Sequence, residues 1–472
     1  MLRILIGVIV IAVLVALATL QIRKEPTNEF IELASLTVDG NAEILSADPT
    51  GNLLAFTSAD DQTVGIVDLS DPMLPIVLGT VEVPGEPTSV GMSPDGQWAL
   101  AVVHVSDSDK GDEPPDLRLP GVLALLDLRD PTTPLLASVI GIGNHPDSIA
   151  VTTAGDELVA VIAIENERVW VRDGAVVDED DTEGAIDISA PGAIQIVKLN
   201  PAKPGNWSVA TLALDADYLR NAMMIDVENP QPEYVALSPG RHMAAVSLQD
   251  NNGIVLIDLA APELAGAFNL GTVANRLADL IDDGKIELTQ NYPADASSEP
   301  MAGVRYPDAI AFSPDGQYLL SANEGEQALT GGRGFSIWAL NGELVWDDGG
   351  EIEQRAFKAG LYPDKRSDKR GIEVEGITAA RFGSRDFAFA VSERGSFLVI
   401  YDISNPYAPE FVQILPTGDG PESVVALPSR NLVIVAAEDS GTISVFQFAA
   451  GDPAANETDD LFGLPELIKE TL

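Results

Sequence analysis

The chain repeats one short pattern seven times: an apolar strand, a turn of Ser-Pro-Asp-Gly type, a second apolar strand, then a third ending in Asp-Leu or a close variant. The first copy runs from Glu43 through Asp48-Pro49-Thr50-Gly51 to Val64-Gly65-Ile66-Val67-Asp68-Leu69, and the second has Ser93-Pro94-Asp95-Gly96 followed by Trp98 to His104. The third uses Ala154-Gly155-Asp156, the fourth Ser238-Pro239-Gly240 and the fifth Ser313-Pro314-Asp315-Gly316; the sixth and seventh start at Glu375 and Pro421-Glu422. Pro presets one turn dihedral and Gly accepts a positive one, so Pro then Asp-Gly between β-branched runs is a hairpin signal. Units of about 40 to 50 residues with three or four strands each are the mark of propeller blades. The expectation is an all-β, seven-bladed β-propeller over 30–449, with repeats starting near 43, 88, 147, 233, 308, 375 and 422.

The seventh copy ends with Thr442 to Phe448, one strand short, while a spare strand, Phe30 to Val38, precedes the first. Pairing the two would complete the last blade and remove the open edge that invites aggregation. Three insertions interrupt the repeats. Asp107 to Leu119 and Asp173 to Ser189 read as acidic loops; Asp178-Glu179-Asp180-Asp181-Thr182-Glu183-Gly184 in the second is a poor match to a calcium loop, lacking the required Gly and Glu spacing. The third, Gly271 to Glu287, spaces Val273, Leu277, Leu280 and Ile281 as a short helix would. Trp98, Trp338, Tyr318 and Tyr401 fall within strand patterns and are expected between blades.

Arg3 precedes an unbroken apolar run, Ile4 to Leu20, so residues 1–24 read as a signal anchor or signal peptide. Ala16-Leu17-Ala18 fits a cleavage site, whereas Arg23 and Lys24 fit the flank of an uncleaved anchor, the preferred reading. Either way the remainder is expected outside the cytoplasm, in the periplasm or at the cell surface. Residues 450–472 read as a polar tail with a short amphipathic stretch.

The 73 Asp and Glu outnumber the 27 Lys and Arg, a net charge of -46 that repels nucleic acid and favours cations as partners. No cysteine occurs, which excludes disulfides, thiolate metal sites and cysteine nucleophiles. P-loop, nucleophile-elbow and zinc-protease motifs are missing, and nothing implies haem, flavin, nucleotide or an Fe-S cluster. The three histidines, His104, His145 and His242, each stand alone in a repeat and are read as structural.

A carboxylate stands near the start of the innermost strand in most repeats: Glu43, Asp147, Glu233, Asp308, Glu375 and Glu422. A second polar set follows the next strand: Glu165-Asn166, Gln249-Asp250, Asn323-Glu324, Glu393 and Glu438-Asp439. Converging from several blades, such oxygens suit calcium or magnesium; the competing reading is that acidic residues merely begin strands and cap turns. The densest candidate metal set is Asp308, Asn323, Glu324, Asp368, Glu373, Glu375, Glu393, Glu422 and Glu438, with Arg333, Arg366, Arg370 and Arg394 nearby. Those arginines either clamp an anionic ligand or pair with neighbouring carboxylates.

From about Asp250 to Phe448 the chain resembles the bacterial choice-of-anchor I family of exported propellers. The resemblance is carried by Tyr306-Pro307-Asp308-Ala309-Ile310, Ala322-Asn323-Glu324-Gly325-Glu326, Gly332-Arg333-Gly334-Phe335-Ser336-Ile337-Trp338, Arg366-Ser367-Asp368-Lys369-Arg370-Gly371, Glu373-Val374-Glu375-Gly376 and Gly420-Pro421-Glu422-Ser423. Ile372 and Val374 stand where the family prefers Pro. The resemblance implies an extracytoplasmic propeller, and the family's common alkaline phosphatase or phytase-like labels imply a metal-dependent phosphoric ester hydrolase as one alternative. The expectation is a cell-envelope binding or scaffold propeller, stabilised by calcium, displaying loops for a protein or an anionic small molecule and tethered by one N-terminal helix. The alternatives are that hydrolase and an accessory subunit of a membrane assembly.

Overall fold

The computed structural model describes residues 29–449 apart from 106–119, 166–169, 173–174, 178–183, 188–191, 204, 275, 293–302 and 326–328. The leader, the tail, the Asp107 loop and most of the acidic run after Val177 lie outside the described residues, as does Asn166. Among those described, no helix is long and apolar enough to cross a membrane.

Seven four-stranded antiparallel sheets form the blades. Blade 1 spans Leu45–Ala47 to Ile76–Glu82, blade 2 Glu86–Met92 to Leu135–Asn144, blade 3 Pro146–Ala154 to Trp207–Ala213 and blade 4 Pro232–Leu237 to Glu263–Asn269. Blade 5 spans Pro307–Phe312 to Leu344–Asp347 and blade 6 Val374–Phe382 to Glu410–Pro416. Blade 7 takes three strands from Pro421–Leu427 onward, and its fourth is Phe30–Thr37, antiparallel to Thr442–Phe448 with Phe30 opposite Phe448. The spare strand therefore closes the ring.

The recurring turn works as a hydrogen-bonded unit. Ser93 Oγ donates to Asp95 at 2.6 Å and accepts the Trp98 N–H at 3.0 Å, and Gly96 takes φ +69°. Ser313, Asp315, Tyr318 and Gly316 repeat it with the same two distances and φ +71°. Each hairpin so fixed presents two apolar faces, and a buried cluster fills each blade junction, from Phe56 with Ile434 between blades 1 and 7 to Phe335 against Tyr401 between blades 5 and 6. Trp338 and Tyr401 lie in these clusters, with Trp98 and Tyr318 packed at their edges.

Two expectations on the insertions are overturned. Gly271 to Glu287 is not a helix: Arg276–Ala278 pairs as a strand with Gln290–Tyr292. Arg276, 2% exposed, reaches Asp347 at 2.5 Å, and Asp279 accepts the Ile281 and Glu287 N–H groups, which holds the segment extended while Leu277 and Ile281 point to solvent. Asp173 to Ser189 is not wholly loop, because Trp170–Arg172 pairs with Ala175–Val177 and Ile186–Asp187. Helices occur instead at Ala216–Asn221 and Glu351–Ala359.

Candidate functional site

The first strand of each blade starts, and the second ends, at one mouth of the central channel. In blades 3, 5, 6 and 7 the approach to the first strand passes through a residue of positive φ, His145, Tyr306, Glu373 or Gly420, at 49°, 46°, 48° and 67°. Next comes Pro, or Val374 in blade 6, then the carboxylate, placed inside a register break such as Pro307 to Ile310 or Val374 to Ile377. A bulge of this kind re-aims a side chain out of the ladder. Here it turns Asp147, Asp308, Glu375 and Glu422 toward the channel, with Glu233 and Glu43 at the matching places of blades 4 and 1 and Thr88 at that of blade 2. The next residue stitches the ring: Ser423 Oγ accepts the Leu45 N–H at 3.1 Å, Ser89 that of Ile149 at 3.4 Å and Ser148 that of Val235 at 3.2 Å. Gly376 is required because a Cβ there would lie 2.1 Å from the Glu422 carbonyl oxygen.

Each ring carboxylate is partly exposed to the channel yet surrounded by protein and by its fellows. Desolvation, followed by repulsion from neighbours, drives their proton affinity up. Glu43 and Asp147 are pushed to about 8 and Glu422 to about 10. Glu233, Asp308 and Glu375 rise well above the usual carboxylate range. For Glu43 and Glu422 the strongest repelling neighbour is Glu438, which also accepts from Asn41 Nδ2 at 3.2 Å while Asn41 holds Glu43 at 2.6 Å.

Between blades 5 and 6 the two polar sets converge. One ligand oxygen each from Glu324, Glu375 and Glu393 lies within 4.8 Å of the others. Glu324 is held by Gln249 Nε2 at 2.8 Å and Arg370 Nη1 at 2.6 Å, and Glu393 pairs with Arg394. Behind them Glu373, with no solvent exposure, accepts both Arg366 donors at 2.6 and 2.9 Å and lies 3.0 Å from Arg370 and 3.6 Å from Arg394. Among the described residues no arginine forms an ion pair with Glu375, so no paired guanidinium offsets the burial and the repulsion from Glu324 and Glu393 that raise its proton affinity.

Other candidates stand apart. Asn323 is fully buried, donating to Ser336 Oγ at 2.9 Å and accepting from Ser321 at 2.8 Å within its own blade. Asp368 is exposed. Arg333 has no solvent exposure: it donates to the Asp279, Ser367 and Lys369 carbonyls at 3.0, 2.9 and 2.8 Å, pairs with Glu353 and lies 4.7 Å over Tyr292, fastening the insertion and the Asp364–Gly371 segment to blade 5. Sequence spacing does not reveal that His104 and His145 meet with ring centroids 4.2 Å apart, His145 Nδ1 lying 3.8 Å from Glu165. Below the mouth the channel continues as a cavity of about 370 Å³ lined by the inner strands of blades 1 to 4, among them Ser46, Gly91, Val151, Tyr234 and Arg241.

Ring closure together with an acidic channel mouth makes this a β-propeller of the seven-bladed, carboxylate-mouthed class. The family model of the choice-of-anchor I domain matches residues 43–328 and 327–406, so the chain belongs to that family, and the likeness extends through the N-terminal blades. A search among curated proteins finds no match. Solved structures resemble it in fold alone. Kuenenia stuttgartiensis hydrazine synthase aligns at TM-score 0.53 and 14% identity over 88% of this chain and 98% of that one. The β-propeller domain of Myceliophteria thermophila Cps50 (Swd1) aligns at 0.51 and 11% over 89% and 99%.

Proposed function

We propose that the chain is an extracytoplasmic binding or scaffold propeller of the cell envelope, tethered by its N-terminal apolar run, whose channel mouth takes up calcium between blades 5 and 6. The observation that carries the metal reading is the Glu324, Glu375 and Glu393 trio. Oxygens bound to one calcium at about 2.3–2.6 Å can be no more than about 5 Å apart, and 4.8 Å meets that limit. Three like charges at that spacing require either shared protons or a cation, and oxygen-only donors favour a hard divalent ion. Glu324 and Glu375 would supply the leading ligands, oriented by Gln249, Arg370 and Gly376, while Glu373 and its three arginines hold the floor of the site. Calcium would bring charge neutralisation and a rigid link between blades 5 and 6. A place outside the cytoplasm agrees with the family's character and with the leader.

A phosphoester hydrolase at the same mouth would need a guanidinium turned toward the channel. Arg366, Arg370 and Arg394 face Glu373, Glu324 and Glu393 instead, which favours a closed ligand set for binding over an open one for turnover. The test is thermal unfolding in calcium, in magnesium and in chelator, with salt high enough to screen surface carboxylates. At a hundred times its Kd, calcium should raise the midpoint by roughly 3 °C for a protein of this size, and Glu375→Gln should abolish the rise. Equal effects of the two ions, or a rise that survives Glu375→Gln, would refute the site.

A further inference from the structure

The strand order fixes which end of the disc faces the tether. In every blade the third strand runs from the carboxylate mouth to the opposite face, and the fourth begins there. Phe30 pairs with Phe448, the end of such a third strand, so the chain enters the propeller at the face opposite the mouth. The same face carries the loops before Ile76 in blade 1 and Leu135 in blade 2, since Asp68 pairs with Ile76 and Asp127 with Leu135. Those loops and the strand ends beside them expose large apolar side chains: Met73 and Leu74 at 69%, Leu135 at 62% and Ile76 at 48%. They adjoin the entry point. Arg430 of blade 7 donates to the Leu69 and Ser70 carbonyls at 3.0 and 3.2 Å, and a Cβ on Gly79 of blade 1 would sit 3.0 Å from Pro134 of blade 2.

We infer that this sector, Met73, Leu74, Ile76 and Leu135 beside Phe30, rests on a zwitterionic lipid surface, so that the carboxylate mouth points away from the membrane. The inference rests on the anchor reading above. Between the apolar run ending at Leu20 and Glu29 stand residues 21–28, a tether spanning at most roughly 28 Å. Entry within that reach of the bilayer brings the adjoining apolar loops against it, where their burial is favourable. The net charge of -46 disfavours anionic lipid and leaves the neutral headgroup as the surface that fits.

The chain holds no cysteine, so one introduced thiol labels one place. The full chain, carrying Leu74→Cys or, at the mouth face, Met223→Cys (79% exposed), is labelled with a fluorophore and reconstituted in phosphatidylcholine vesicles containing nitroxide lipid. The expected result is strong quenching at position 74, at least threefold above that at 223, lost when Met73→Asp and Leu135→Asp are added while the protein still floats with the vesicles. Equal quenching at both positions, or quenching chiefly at 223, overturns the orientation. Protection of position 74 that needs a second copy of the chain and brings no quenching also overturns it. Failure to float refutes the anchor reading itself, and that outcome is distinct from the others.

Discussion

Glu373 is a carboxylate with no solvent exposure that faces Arg366, Arg370 and Arg394. Removing one partner of such a network leaves buried charge uncompensated, so Glu373→Gln should cost about 3–5 kcal/mol in urea denaturation, whereas exposed Asp368→Asn should stay within about 0.5 kcal/mol. The ring has a pH signature. Glu43 and Asp147 at about 8 and Glu422 at about 10 keep protons in the folded state that the unfolded chain releases near the ordinary carboxylate value. The folded state thus binds more protons between those limits. Their contribution to stability is full below about pH 4 and is lost as pH rises through 8 and on toward 10. In chelator the thermal midpoint should accordingly fall from about pH 5 to about pH 9, and calcium should flatten that decline; a rising midpoint would contradict the desolvated ring. At this scale the ring carboxylates were legible because each follows the start of a strand in a repeat. The stitching serines and the meeting of His104 with His145 were not, since both depend on which residues two different blades bring together.

Phe30 shows how much one strand from the far end of the chain contributes. Its ring is fully buried and packs edge-on against Phe382, Phe387 and Phe389 at 5.8, 5.5 and 5.3 Å. Phe30→Ala should cost about 3–5 kcal/mol, read from chemical denaturation, and deletion of Phe30–Thr37 should expose the Thr442–Phe448 edge and produce aggregation at temperatures the intact chain tolerates. Ring closure by this strand could be read from sequence because a seventh repeat lacking one strand leaves a gap that only an orphan strand can fill. The insertion at Gly271 could not: helical spacing of Val273, Leu277 and Leu280 was outweighed by the buried Arg276 and its pairing with Asp347. The helix Glu351–Ala359 did leave a signal, with Glu351 and Glu353 in its first turn, Lys358 in its last and Gly360 at φ +75° closing it.

For the whole molecule, the acidic excess and the ring concern different groups. Many carboxylates among the described residues are exposed, and a net charge of -46 attracts cations without selecting a place for them, while the mouth between blades 5 and 6 concentrates three within 4.8 Å. Phe30, where the described chain enters the propeller, and the mouth lie on opposite faces of the disc, an arrangement that under the proposed anchoring would present the mouth outward. The most direct test of the account is calcium binding by titration calorimetry to the full chain in screening salt, alongside Glu324→Gln and Glu393→Gln. The account predicts one saturable site that releases protons at about pH 7 and disappears in both variants. Uptake that grows without saturation, or a site unchanged by either substitution, would contradict it.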